Sequence, residues 1–315
     1  MNDVLGRTIT YLRLSVTDRC DLRCRYCMAE DGVPKRRHDE LCSFEELRDF
    51  AAAAVRLGVT KIRITGGEPL VRRGIVELCA MLRAIPGVEE LCLTTNGTHL
   101  PQLAGALREA GVDRLNISVD SLRPERYREI TRTGELARVL QGIEAAESAG
   151  FHELKLNCVL LGGVNDDEIG DFVRLTREKP WQVRFIELMP MGVCAAWPRE
   201  FFLPAQAVLE RVPELRPAGQ SGVARLYRLP GALGTVGLIE PMSCAFCSGC
   251  TRIRITADGK LKPCLHSNTE LPLRGLSGES LEQAIRRGIL TKPERHHMDE
   301  SGRTETRRDM FEIGG

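Results

Sequence analysis

Cys20-Asp-Leu-Arg-Cys24-Arg-Tyr-Cys27 sets three thiols at the spacing Cys-x3-Cys-x-aromatic-Cys. Thiolates are the usual ligands of iron–sulfur clusters, and a cube of four irons takes four ligands. Three neighbouring thiolates leave one iron without a protein ligand, and an open metal position can take a substrate or cofactor. A zinc knuckle is the rival. Zinc favours two-residue spacings and four protein ligands in structural sites, and the nearest further candidate here is His38.

A second group lies far along the chain. Phe246-Cys247-Ser248-Gly249-Cys250 is followed by Thr251-Arg252-Ile253-Arg254 and then by Cys264. Cys247, Cys250 and Cys264 make one triad, and Cys244 opens a competing Cys-x2-Cys-x2-Cys run. Spacing alone leaves the triad open, and leaves zinc and iron–sulfur as equal readings. The chain has 12 cysteines, and these two groups hold seven of them. Met1 to Arg7 carries no signal-peptide pattern, so the clustering favours metal over disulfides. Cys42, Cys79, Cys92, Cys158 and Cys194 lie apart and read as buried small apolar residues.

Gly66-Gly67-Glu68-Pro69 lacks the Gly-x4-Gly-Lys-Ser/Thr pattern of a phosphate loop. Its glycines allow close backbone approach to a ligand, and Glu68 with nearby carbonyls could accept from an ammonium group. A plain tight turn is the alternative.

Strand-like segments at 10–16, 61–65, 91–95, 114–119, 154–160 and 183–188 alternate with helix-like ones. The helices run from the capping box Ser43-Phe44-Glu45-Glu46 to Gly58, over 71–84, 100–110, from 124, over 135–149 and over 166–178. Six β-then-α units predict a parallel sheet with right-handed crossovers. That is an α/β fold, an incomplete (β/α)6 TIM-like barrel rather than the full eight-unit one. The unusual segments all follow strand ends, and parallel strands bring those ends to one face, where barrel sites are built.

After Trp197 the chain is punctuated by prolines. Segments 223–229 and 235–239 read as a hairpin around Pro230-Gly231, 281–287 as a short helix, and the remainder as charged and extended. The expected division is a barrel over 1–200 and a smaller C-terminal module over 201–315 carrying the second cysteine group. Among 315 residues, 43% are hydrophobic, 28% charged and 5% aromatic, with net charge +1. Neither nucleic acid nor membrane is expected as a partner.

Cys-x3-Cys-x-Tyr-Cys, Gly-Gly-Glu-Pro and the six-unit barrel resemble the radical S-adenosylmethionine (SAM) enzymes. Tyr11-Leu-Arg-Leu-Ser-Val-Thr-Asp-Arg-Cys20, Ile62-Arg-Ile-Thr-Gly-Gly-Glu-Pro69, Leu93-Thr-Thr-Asn-Gly97, Arg184-Phe-Ile-Glu-Leu-Met189, the Phe246 to Arg254 block and Gly314-Gly315 narrow this. Together they resemble the GTP 3′,8-cyclase family, nearly end to end. The resemblance implies two [4Fe-4S] clusters, on Cys20, Cys24 and Cys27 and on Cys247, Cys250 and Cys264, with Cys244 a neighbour only. It implies SAM beside Tyr26, Gly67, Ser118 and Met189. It implies GTP beside Arg13, Arg63, Thr94, Lys155, Arg184, Arg252 and Arg254, and a Gly314-Gly315 tail reaching into the site. The implied reaction is abstraction of the ribose C3′ hydrogen by a 5′-deoxyadenosyl radical, then closure onto C8 of guanine. An electron donor, a homodimer and a cytoplasmic location are implied as well. Cys194 departs from the polar loop residue commoner there, and Asp21 from the more frequent Asn.

Arg13, Arg63, Lys155 and Arg184 fall on expected strands, where a buried charge needs a partner. A triphosphate would match several such cations. For each singly, a surface salt bridge is the simpler role. Arg252 and Arg254 share one strand face.

Overall fold

The structure is a computed structural model that describes residues 1–32, 36–243, 246–296, 298 and 304–314. Cys244 and Gly315 therefore lie outside the described residues. Six strands run parallel in chain order: Tyr11–Ser15 (β1), Lys61–Thr65 (β2), Glu90–Thr95 (β3), Arg114–Ser118 (β4), Lys155–Leu160 (β5) and Gln182–Glu187 (β6). Between them run the helices Phe44–Arg56 (α1), Ile75–Arg83 (α2), Leu100–Glu109 (α3), Pro124–Thr131 (α4), Leu136–Ser148 (α5) and Ile169–Glu178 (α6). This is the partial (β/α)6 barrel. The capping box at Ser43 forms in both directions, and Gly58, at φ +101°, follows the end of α1.

Strand alternation separates two chemistries. Leu12, Leu14, Ile62, Ile64, Leu91, Leu93, Leu115 and Ile117 are fully buried in the main apolar core. The alternate positions are polar: Arg13 and Ser15, Arg63 and Thr65, Asn116 and Ser118, Lys155 and Asn157. Successive side chains on a strand point to opposite faces, so one face of the sheet is a hydrophobic core and the other a polar lining.

After Ala207–Arg211 (α7), strands Arg216–Ser221 (β7), Ala224–Arg228 (β8) and Thr235–Ile239 (β9) follow. Then come Arg252–Ile255 (β10), Lys260–Lys262 (β11), Leu271–Pro272 (β12) and the helices Gly278–Leu290 (α8) and Met310–Ile313 (α9). These late strands extend both edges of the barrel sheet. β10 pairs parallel with β1, and β9 pairs parallel with β6. The sheet order is β12-β11-β10-β1-β2-β3-β4-β5-β6-β9-β8-β7.

Several expectations need correction. The helix expected over 71–84 begins only at Ile75, after a 3-10 turn at Pro69–Val71 and Gly74 at φ +83°. The expected hairpin is β8 and β9, but β7 adds a third strand. The helix expected over 281–287 spans Gly278–Leu290. It crosses Gly288, where a Cβ would stand 2.0 Å from Leu261 Cδ2, so that glycine serves close packing rather than ending the helix. The tail expected to be extended contains α9. The five scattered cysteines are buried as expected. Among the described residues no helix is long and apolar enough to cross a membrane.

Candidate active site

The first cysteine loop is built by backbone contacts. Arg23 N–H donates to Thr131 O at 3.0 Å and Arg25 N–H to Ile130 O at 2.9 Å. Arg132 returns its guanidinium to the carbonyls of Arg23 and Met28, both at 3.0 Å. Its own φ is +62°, and among the described residues no other non-glycine has a positive φ. The left-handed region costs an ordinary side chain of order 1–3 kcal/mol, and such strain gathers at functional sites. Gly66 and Gly67 do allow close approach, but what approaches is the cysteine loop. A Cβ on Gly66 would lie 2.6 Å from Thr17 O, and one on Gly67 2.4 Å from Arg19 O. Glu68 accepts from Leu70 N–H, Thr95 Oγ1 and Asn96 N–H at 2.9, 2.8 and 2.6 Å. Burial nevertheless pushes its carboxyl up to about 8.

Cys20, Cys24 and Cys27 line one cavity of about 220 Å³, together with Tyr26, Gly67, Thr94, Ser118 and Met189. Thr65 and Asn157 line it too, and among the described residues Thr65 Oγ1 and Asn157 Oδ1 are buried polar atoms without a hydrogen-bond partner. Such atoms suit a polar ligand that would complete them. Tyr26 donates to Asp120 Oδ2 at 2.7 Å, while Val159 N–H donates to Oδ1 at 2.8 Å. Burial raises the Asp120 carboxyl to about 6. The thiols here are all held protonated. Burial and then Glu68 push Cys20 up; burial and then Asp120 push Cys24 up; burial and then Asp309 bring Cys27 to about 12. Three thiols lining one cavity fit an iron–sulfur cluster with an open iron, whose metal charge would drive off the thiol protons.

Deeper on the same sheet face stands a row of cations. Arg13 is in register with Arg254 on β10 and with Arg63 on β2. Lys155 on β5 and Arg184 on β6 continue it across the barrel. Thr65, Asn157 and Ile186, each two residues beyond one of these cations, line the cavity, so row and cavity share a face. Arg63 donates to Tyr11 Oη and, at 3.3 Å, to Thr94 Oγ1. Burial lowers Arg13 to about 10, with Arg63 and Arg252 adding repulsion. Burial and Arg184 bring Lys155 to about 7. Burial and Arg63 bring Arg184 to about 10, and burial with Arg13 drives Arg254 down.

The second cysteine group borders this row. Cys247, Cys250 and Cys264 are half-buried, and the charges of Cys250 and Cys264 act on Cys247. Burial raises Cys250, but Arg252 and Lys292 outweigh it and bring the thiol to about 7. The Arg252 guanidinium lies 5.0 Å from the Phe246 ring centroid. Three thiols beside cations fit an anionic thiolate-held cluster. Among the described residues no three metal-binding side chains close on a single-ion position.

The tail connects the two groups. Arg308 is gripped by Asp258, at 3.0 and 2.9 Å, and by Glu270. Arg36 holds Glu312 at 2.8 Å. Met310 and Phe311 line the cavity, and the Phe311 N–H donates to the Cys27 thiol. Gly314 O accepts from Arg254 Nη1 at 2.7 Å. A Cβ on Gly314, at φ +76°, would stand 2.1 Å from Thr65 Oγ1. Sequence reasoning missed Asp120, Asn157 and Arg308. The polar alternation of the strands was the signal that could have found Asn157.

Residues 14–176 match the Radical SAM superfamily, and residues 181–298 match Molybdenum Cofactor Synthesis C. A protein of Alkaliphilus oremlandii named GTP 3′,8-cyclase is 48% identical, with 100% of both chains covered. Proteins of the same name from Peptoclostridium acidaminophilum and Geobacter sulfurreducens are 50% and 49% identical, with 98% or more of each chain covered. Among solved structures, Streptococcus suis SuiB bound to S-adenosylmethionine is 15% identical at TM-score 0.65, covering 91% of this chain and 72% of that one. Native anSMEcpe with bound AdoMet is 13% identical at TM-score 0.59, covering 90% and 81%. These two likenesses are of fold. By its matched regions and full-length relatives, the chain belongs to the radical SAM superfamily and, within it, to the family of the GTP 3′,8-cyclases.

Proposed function

We propose that this chain converts GTP to (8S)-3′,8-cyclo-7,8-dihydroguanosine 5′-triphosphate, an early step of molybdenum cofactor biosynthesis. The observation that carries the reading is the in-register row Arg254, Arg13 and Arg63, lying between two groups of three cysteines. When bound, SAM and a reduced cluster on Cys20, Cys24 and Cys27 supply a 5′-deoxyadenosyl radical that takes hydrogen from C3′ of the ribose.

The chain's own residues position the partners. Tyr26, Gly67, Ser118 and Met189 surround SAM in the first cavity. Arg13, Arg63, Lys155 and Arg184 take the phosphates with Thr94 at their edge, and Arg252 and Arg254 serve the end near the second group. Cys247, Cys250 and Cys264 would hold a second [4Fe-4S] cluster, whose open iron would bind the guanine. The Gly-Gly tail reaches into the site, with the Gly314 carbonyl set by Arg254. In this reading residues 1–200 do the radical chemistry and 201–315 hold the auxiliary cluster. A cytoplasmic homodimer served by a separate electron donor completes it.

The test is anaerobic incubation with GTP, SAM and a reductant. The expected products are 5′-deoxyadenosine and the cyclised nucleotide in equal amounts. Deoxyadenosine formed only with a peptide, never with GTP, overturns the reading in favour of a peptide-modifying radical enzyme.

A further inference from the structure

Two buried cations outside the strand row grip the second cysteine group. Lys292 follows α8 and is 5% exposed. Its Nζ donates to Arg252 O and to Pro263 O, each at 2.8 Å. The first carbonyl comes just after Cys250 in sequence, and the second belongs to the residue before Cys264. Arg7, from the opposite end of the chain, donates to Cys247 O at 2.9 Å. It also donates to Pro293 O and Glu294 O at 2.7 and 3.0 Å. The two side chains therefore hold backbone at or beside each of the three cysteines. Arg7 also fixes the segment that carries Lys292, so each restrains the other.

Their charges are balanced differently. Arg7 is paired with buried Asp3 at 2.6 Å. Lys292 bonds two carbonyls and, among the described residues, pairs with no carboxylate. A buried ammonium without an anion is costly, and a thiolate-held cluster would supply one.

We propose that Arg7 and Lys292 are positioning residues that hold the backbone of Cys247, Cys250 and Cys264 in a preformed arrangement, with Lys292 as counter-charge to an anionic iron–sulfur cluster. This rests on the second-cluster reading above. The test uses full-length protein, reconstituted anaerobically, as wild type, Lys292→Gln, Lys292→Arg and Arg7→Lys. Iron and sulfide are counted, EDTA stripping is followed by loss of visible absorbance, and the reduced clusters are resolved by electron paramagnetic resonance.

Wild type should carry about eight irons. Lys292→Gln should fall to about four, keeping the first-cluster signal, and Lys292→Arg should restore the second. Arg7→Lys keeps a charge beside Asp3 but cannot fork to several carbonyls, so its second cluster should strip about fivefold faster. It serves as the deciding variant if Lys292→Gln does not fold. A full iron complement and wild-type stripping in Lys292→Gln or Arg7→Lys overturns the clamp alone. Only about four irons in wild type overturns the clamp together with the second-cluster reading.

Discussion

The two cysteine groups border one sheet but live in opposite electrostatic surroundings. Around Cys20, Cys24 and Cys27 the charged neighbours are Glu68, Asp120 and Asp309, and every thiol is pushed up. Around Cys250 they are Arg252 and Lys292, and its thiol falls to about 7, while burial pushes Cys247 up. Acids suit a ligand that brings positive charge, and SAM carries a sulfonium and an ammonium. Cations suit a nucleoside triphosphate. One barrel thus carries an end suited to cations and, in the proposed reading, an anion-accepting end that takes in the row of cations from Arg254 to Arg63 and on to Lys155.

Removing a ligand at the acidic end should do most. Cys24→Ser is expected to lower 5′-deoxyadenosine formation at least ~10³-fold, in keeping with loss of a metal centre, and to remove about half the iron. Retention of both iron and deoxyadenosine would break the distinction between the groups.

Next comes the tail that joins them. Gly314→Ala puts a methyl where Thr65 Oγ1 stands 2.1 Å away, in a backbone conformation that already disfavours a side chain. Cyclised product should fall about 10–100-fold, since misplacement of about 1 Å near the chemistry can cost that much. Unchanged product yield by chromatography would remove Gly314 from the site.

Lys155 gives a smaller effect with a definite sign. Burial and Arg184 depress it to about 7, so the free protein at pH 8 holds most of it neutral. A triphosphate favours the charged form, so GTP binding at pH 8 should take up a proton. Calorimetry in two buffers of different ionisation heat reads this, and Lys155→Met should abolish it while weakening binding about tenfold, or ~1.4 kcal/mol. The same depression means the folded chain binds fewer protons than the unfolded one between about 7 and 10.5. That contribution to stability should rise with pH across the window. Binding without proton uptake would take Lys155 out of the anion-accepting end.

The smallest expected change is at Arg308, whose removal leaves Asp258 with Arg36 and Lys260, and Glu270 with Lys260 and Lys262, without touching either cysteine group. Arg308→Gln should leave iron content unchanged, lower product about two- to fivefold, and speed proteolysis of the tail, because termini are ordered only when tied down. Equal protease resistance would show that α9 needs no such anchor.

What was legible in the sequence was local. Cys20 to Cys27, the Ser43 capping box and the strand Lys61–Thr65 are each written in a few adjacent residues, and their outlines hold. Long-range pairing was not legible. Nothing in Arg252 to Ile255 announces β1 as its neighbour across some 240 residues, since the chain carries no local mark of parallel register. β7, Arg-Pro-Ala-Gly-Gln-Ser, is almost wholly exposed and lacks the apolar alternation that betrays a strand. The helix expected over 281–287 falls short of α8, which runs on across Gly288 where Leu261 packs against it. Arg308 passed as one more charge in a polar tail, and only Asp258 and Glu270, brought in from β10–β11 and the approach to β12, reveal its work.

The two-faced strands carry a consequence for descent. Leucines and isoleucines that answer to the outer helices and arginines, serines and asparagines that line the polar face occupy alternate positions, so selection can act on either set without disturbing the other. A scaffold of this kind can exchange its inner lining and keep its shape, in keeping with a backbone likeness at TM-score 0.65 to a chain only 15% identical.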